Sequence, residues 1–232
     1  MSLLLVTAHL AAPVASRGEP PHLDALLAAA AARCQSLPPI DRETPAGEIT
    51  DLRLPLARLH WRDEWVWMAS RACPSDAQRG TSHITRRPDS EDIDRRARRW
   101  NVAAGPERSQ LVTVPLLVSQ RLTWLAVGAR RGVIDLLRYV GHVGSIRRHG
   151  YGRVRRWDVI SLCDHDDPTA ILHLDGRANR HLPRSWCRET HGYDIGPVRA
   201  PYWHPGRDVA RVRAGIQCDL YPEILARAMR FS

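Results

Sequence analysis

Residues 141–157, reading GHVGSIRRHGYGRVRRW, constrain the fold more than any other stretch of this chain. Gly141, Gly144, Gly150 and Gly152 punctuate a run that carries Arg147, Arg148, Arg153, Arg155 and Arg156, with no acidic residue between Arg138 and Trp157. Upstream, apolar Val133, Ile134, Leu136, Leu137 and Val140 predict a helix over 132–140. Downstream, residues 153–162 predict a strand. Glycine admits positive φ and lets another group approach the backbone closely. Arginine offers a planar fork that fits phosphate. A glycine-rich basic loop between a helix and a sheet edge is suited to holding a polyanion. The plain alternative is a long solvated connection.

The rest of the chain predicts alternating elements. Residues 3–10 read as a strand, and 22–34 as an alanine-rich helix opened by Pro20-Pro21. Residues 52–60 and 64–70 read as a hairpin, and 110–118 with 122–127 as a second one. Between them, 73–108 is poor in apolar residues and reads as an insertion; inside it, 90–100 predicts a short helix with acids first and arginines later. The order strand–helix–strands–helix–strand fits an α+β chain of the split βαβ, ferredoxin-like (RRM-like) plan, which many RNA-binding sheets share. Residues 1–162 are expected to form that domain, with 163–232 as an irregular extension packed on it. The extension holds a strand near 170–174 and a closing helix over 216–230 interrupted by Pro222.

Charge narrows the partner. The formal net charge is +9, and all 34 basic residues are arginine. Nucleic acid is the first expectation and an anionic membrane the second. No apolar run reaches the roughly 18 residues of a membrane span, and no basic region precedes the N-terminal apolar stretch as in a signal peptide. The expected compartment is the cytoplasm. Cys34, Cys73, Cys163, Cys187 and Cys218 lie far apart, which argues against a disulfide framework. Cys163 with His165 is a lone pair of metal-ligand types, and Asp164, Asp166 and Asp167 read as a polar turn. No metal or cofactor is expected. Without lysine no P-loop is possible, and neither GxSxG nor HExxH occurs.

The glycine-rich segment, with its leading helix and trailing strand, resembles the signature loop of the RAMP superfamily of CRISPR RNA-binding proteins. A narrower resemblance lies in TAHLAAPV (7–14), PPHLDALLA (20–28), RLPLARL (53–59), WVWMAS (65–70) and APYWHP (200–205). Together these blocks are similar to the type IV CRISPR effector subunit that takes the place of the 5′-handle-binding subunit of other CRISPR complexes. The resemblance implies a subunit that caps one end of a ribonucleoprotein, holds the repeat-derived 5′ handle of the crRNA, and contacts the backbone filament and large subunits. It carries over to Gly141, Gly144, Gly150 and Gly152, with Arg147, Arg148 and Arg153 as phosphate ligands.

His149 and Tyr151 sit inside the loop and complete the RNA-binding set. They are also the candidate proton-transfer groups of a metal-independent endoribonuclease, which some RAMP relatives are; His22, His142 and His204 are further candidates. Nearby arginines would depress such a histidine, and no lysine is present, so binding without catalysis is the expected role. Arg86, Arg87, Arg95, Arg96, Arg98 and Arg99 form either a solvated charged face or a nucleic-acid clasp, the latter also the candidate surface for target DNA beside its flanking motif. Tyr202 and Trp203, held between prolines, are candidates for base stacking. Trp61, Trp65, Trp67 and Trp100 are left open between core and interface.

Overall fold

The computed structural model describes residues 1–16, 19–86, 110–162 and 168–230. The chain runs β1 (Ser2–Leu10), β2 (Val14–Ala15), α1 (Leu23–Cys34), β3 (Arg58–Trp61), β4 (Glu64–Trp67), β5 (Cys73–Pro74), β6 (Gln78–Arg86), β7 (Gln110–Val118) and β8 (Arg121–Gly128). It continues through α2 (Arg130–Leu137), β9 (Val154–Ser161), β10 (Leu182–Pro183), β11 (Cys187–Thr190), β12 (Asp194–Pro197), β13 (Asp208–Val212), β14 (Cys218–Leu220) and α3 (Pro222–Met229). It is an α+β protein built on antiparallel sheets.

The principal sheet has the order β5-β8-β1-β9, with every neighbouring pair antiparallel. Alternation along β1 and β8 sends Leu4, Val6, Ala8, Leu122, Trp124 and Ala126 to one face. Against that face pack Leu23, Leu27 and Ala30 of α1 with Val133 and Leu137 of α2, giving a first core. The spacing of those residues is what helical periodicity requires for one buried stripe.

A second core lies on the opposite side. Leu3 and Val127 reach it from the principal sheet, Leu59, Val66 and Met68 from the β3–β4 hairpin, and Ile171, Leu182, Trp186 and Ile224 from the C-terminal part. The tryptophans of the hairpin are covered by cations. Arg58 stands 4.4 Å from the Trp65 ring and 4.5 Å from Trp67, while Arg199 stands 4.6 Å from Trp65. Trp67 belongs to the first core and Trp61 packs against the second.

Four expectations need correction. Residues 110–118 and 121–128 are strands but do not form a hairpin. β7 pairs instead along its whole length with β6, in a separate sheet of order β2-β7-β6. The turn at Ser119-Gln120 hands the chain from one sheet to the other, because β8 is claimed on both sides by β1 and β5. The stretch expected as an insertion therefore begins with a strand of the principal sheet, β5, and continues into a long ribbon. Residues 170–174 form no strand: a 3₁₀ turn spans Pro168–Ala170, and Leu172 makes only an isolated bridge with Ala178. Pro222 opens α3 rather than interrupting a helix, since proline lacks only a donor that the first turn leaves unused. The expected helix at 90–100 and the polar turn at 164–167 lie outside the described residues. Among the described residues no helix is long and apolar enough to cross a membrane.

Candidate nucleic-acid interface

Segment 141–152 is fixed by its own backbone. Val143 N–H donates to Gly152 C=O at 2.8 Å, Gly152 N–H to Pro13 C=O at 2.7 Å, and Ser145 N–H to Ala15 C=O at 2.9 Å. Val154 N–H donates to Gly141 C=O at 2.9 Å, which joins the segment to the start of β9. Two glycines make this possible. Gly152 has φ +64°, and a Cβ there would lie 1.8 Å from the Val143 carbonyl oxygen. Gly144 has φ +89°, and a Cβ would lie 2.7 Å from the Ala15 carbonyl oxygen. Both serve close approach of chain to chain. Gly150 follows the 3₁₀ turn, and beside both it and Gly141 the space is open.

The staples push the cations outward. Arg147–His149 forms a single 3₁₀ turn, with Arg147, Arg148 and His149 exposed, as are Arg153 and Arg155. Among the described residues none of these four arginines has an ion pair; Arg156, by contrast, pairs with Asp158 at 3.3 Å. Partial burial and the charge of Arg33 hold the Arg147 guanidinium below its ordinary value. Tyr151 is otherwise engaged: its hydroxyl donates to Ser82 Oγ at 2.7 Å, tying the segment to the β6–β7 ribbon. His142 bridges to Arg153 in the backbone.

The other predicted positions separate. Arg86 ends β6, whereas Arg87, Arg95, Arg96, Arg98, Arg99 and Trp100 lie outside the described residues. Trp203 is 49% exposed. Tyr202 is not presented for stacking. Its hydroxyl donates to the Asp24 carboxylate at 3.0 Å and accepts from Arg180 at 2.9 Å, and its ring stacks on His22 at 4.7 Å. His204 is buried, its Nδ1 accepting from Gly206 N–H at 3.0 Å.

Sequence reasoning missed two groups. The first is the buried cluster around Arg180, whose guanidinium donates to the carbonyls of Trp67, Ala69 (3.1 Å) and Val198 (2.6 Å) and sits 3.5 Å from Asp24. No local signal marks an arginine for burial. The second is His9, whose Nε2 lies 2.7 Å from Asp158 Oδ2, beside Arg156, on the exposed end of the principal sheet. Alternation along β1 places His9 on the Leu3 face, so the sequence did carry that signal.

Glu19, His22 and His181 offer ligand atoms within 4.8 Å of one another. Their chemistry favours a hydrogen-bonded cluster over a metal cradle. Nδ1 of His181 accepts the Ala214 N–H at 3.2 Å, so the ring proton resides on Nε2, 3.1 Å from Glu19. Burial, His181 and the charges of Arg180, Arg71 and Arg211 hold His22 well below 6.5, and its two ring nitrogens have no partner among the described residues.

A family model described as CRISPR type IV associated protein Csf3 matches residues 2–105 and 91–211. No curated protein matches the chain.

Proposed function

Because this chain belongs to the Csf3 family of type IV CRISPR-associated proteins, we propose that it is the crRNA-binding subunit that caps the 5′ repeat-derived handle of a type IV effector ribonucleoprotein. One observation carries the reading. Arg147 and Arg148 of the segment stapled to the body by backbone hydrogen bonds, with Arg153 and Arg155 at the start of β9, are exposed and have no ion pair among the described residues. Exposed arginines on a backbone-stapled support favour phosphate, because a guanidinium fork matches phosphate oxygens and an arginine without an ion pair has no carboxylate to give up.

The fold reading supports it. Along the chain β1, α1, β5, β8, α2 and β9 follow one another, and in the sheet they stand fourth–first–third–second. We read that order as the ferredoxin-like plan of RAMP proteins, with 141–152 as its glycine-rich loop and the β6–β7 ribbon as the thumb. The backbone filament and large subunits are the proposed protein neighbours. We read the subunit as non-catalytic, and the Tyr151 hydroxyl, whose proton goes to Ser82 Oγ, supports that reading.

The test is a binding isotherm on RNA that copurifies with the complex, measured across salt. Arg147→Glu with Arg148→Glu is expected to weaken binding and flatten the dependence on log[salt] by about 0.7 per lost phosphate contact. Unchanged affinity in that variant would move the site elsewhere. Metal-independent cleavage of repeat RNA by the purified protein, lost in His149→Ala, would establish the nuclease alternative.

A further inference from the structure

Beside the basic segment lies a cavity of about 1000 Å³ that no part of the handle reading has used. Its floor is the outer side of α1, where Ala25, Ala28, Ala29 and Ala32 are only partly buried. Leu37 and Ile40, both exposed, and the half-exposed Trp203 form its walls. Arg33 and Arg147 stand at its margin. Neither has an ion pair among the described residues; each donates only to a backbone carbonyl, Arg33 to Tyr139 at 3.3 Å and Arg147 to Gly144 at 3.2 Å.

Arg33 and Arg147, like charges with no ion-pair partner among the described residues, repel each other, and an anion placed between them would relieve that repulsion. Alanines of α1 floor the groove, so a flat group can lie directly on the helix; Glu48 and Asp51 also line it, and Asp51 is already held by Arg199 and Arg207. An occupant with an anionic end and a flat apolar body is a nucleotide. Gln35, Ser36 and Thr50 also border the cavity and offer donors and acceptors for a base edge.

We propose that this groove receives one unstacked nucleotide of the bound RNA, its phosphate held by Arg33 and Arg147 and its base lying on α1 against Trp203. The inference rests on the RNA-binding reading above and adds a specific pocket to it. It explains why Trp203 stays exposed while its neighbour Tyr202 is drawn inward. Stacking on Trp203 would tolerate several bases, since every base has a π-face.

The experiment walks a single abasic site along synthetic RNA of the copurified sequence and measures affinity for the purified complex. One position is expected to lose about 10-fold when abasic, the range for a stacked base, and Trp203→Ala is expected to erase that position's sensitivity while leaving the others intact. Ala29→Trp fills the groove from a partly exposed helix position and is expected to do the same, and Arg33→Ala to weaken binding several-fold. A flat abasic profile, or a sensitive position that survives both Trp203→Ala and Ala29→Trp, overturns the pocket, while Arg148→Glu with Arg153→Glu, neither of which lines the groove, still reports on the basic surface beside it. Loss of a protein subunit from the groove variants with the RNA profile unchanged also overturns it, in favour of a protein segment. A wild-type complex that binds no RNA sinks both readings.

Discussion

Arg148 and Arg180 are the same residue type in the same protein, and their surroundings are opposite. Arg148 projects from a backbone-stapled loop, exposed and with no ion pair among the described residues. Arg180 is fully buried, with four carbonyls, a phenol and Asp24 around its guanidinium. In the loop, structure holds charge out for something else to neutralise. In the cluster, charge ties α1, β4 and residues 198–202 together. Arginine content therefore says little about binding until the acids and carbonyls near each guanidinium are known.

The largest break in that comparison should come from Arg180→Ala. Removing the cation leaves Asp24 buried and unpaired, which typically destabilises by about 3–5 kcal/mol. Chemical denaturation of the purified protein should show the midpoint collapse, with part of the loss recovered on adding Asp24→Asn. A midpoint within experimental error of wild type would mean that the cluster does not hold the two cores together.

Next is Gly152→Ala, which meets the Val143 carbonyl and a left-handed backbone at once. Strain of that kind amounts to about 1–3 kcal/mol, and thermal melts should register it together with weaker RNA binding. Gly141→Ala, where the space is open, is the control for strain and should leave the melting temperature unchanged.

His22 sharpens the comparison through pH. The folded state keeps its imidazole neutral, whereas the unfolded chain protonates near 6.5. Below that pH the unfolded state holds more protons, so stability is full above 6.5 and falls as pH drops. His181, also lowered chiefly by burial, acts in the same sense; Asp24, raised by burial, opposes it in the carboxylate range. Denaturation between pH 7.5 and 5 should show the loss, and His22→Phe should flatten it. A wild-type profile that does not slope over that interval would contradict the buried neutral imidazole.

The smallest effect on stability belongs to the exposed arginines of the loop and of the start of β9. Arg148→Ala and Arg155→Ala should each stay within about 0.5 kcal/mol of wild type, as exposed substitutions do. Their signature is in the salt dependence of RNA binding instead. A substantial fall in melting temperature for either would put these side chains in a structural role like that of Arg180.

Local pattern made much of this molecule legible in the sequence. The strand at β1, the alanine-rich α1, the β3–β4 hairpin and the helix–loop–strand around 141–152 follow from periodicity, proline and glycine positions, and those signals act over a few residues. The acid-free run of arginines was legible as composition, but whether a carboxylate from elsewhere in the chain meets each guanidinium was not, as Asp24 against Arg180 shows. Tertiary structure alone decided the pairing of β7 with β6 rather than β8, because strand partners are chosen by burial of whole faces and not by adjacency. It also decided that Tyr202 turns inward, that Asp24 meets Arg180, and that Arg33 comes up beside Arg147. Each depends on groups far apart in the chain, and the sign and strength of such contacts are set by distance and desolvation, which exist only once the chain has folded.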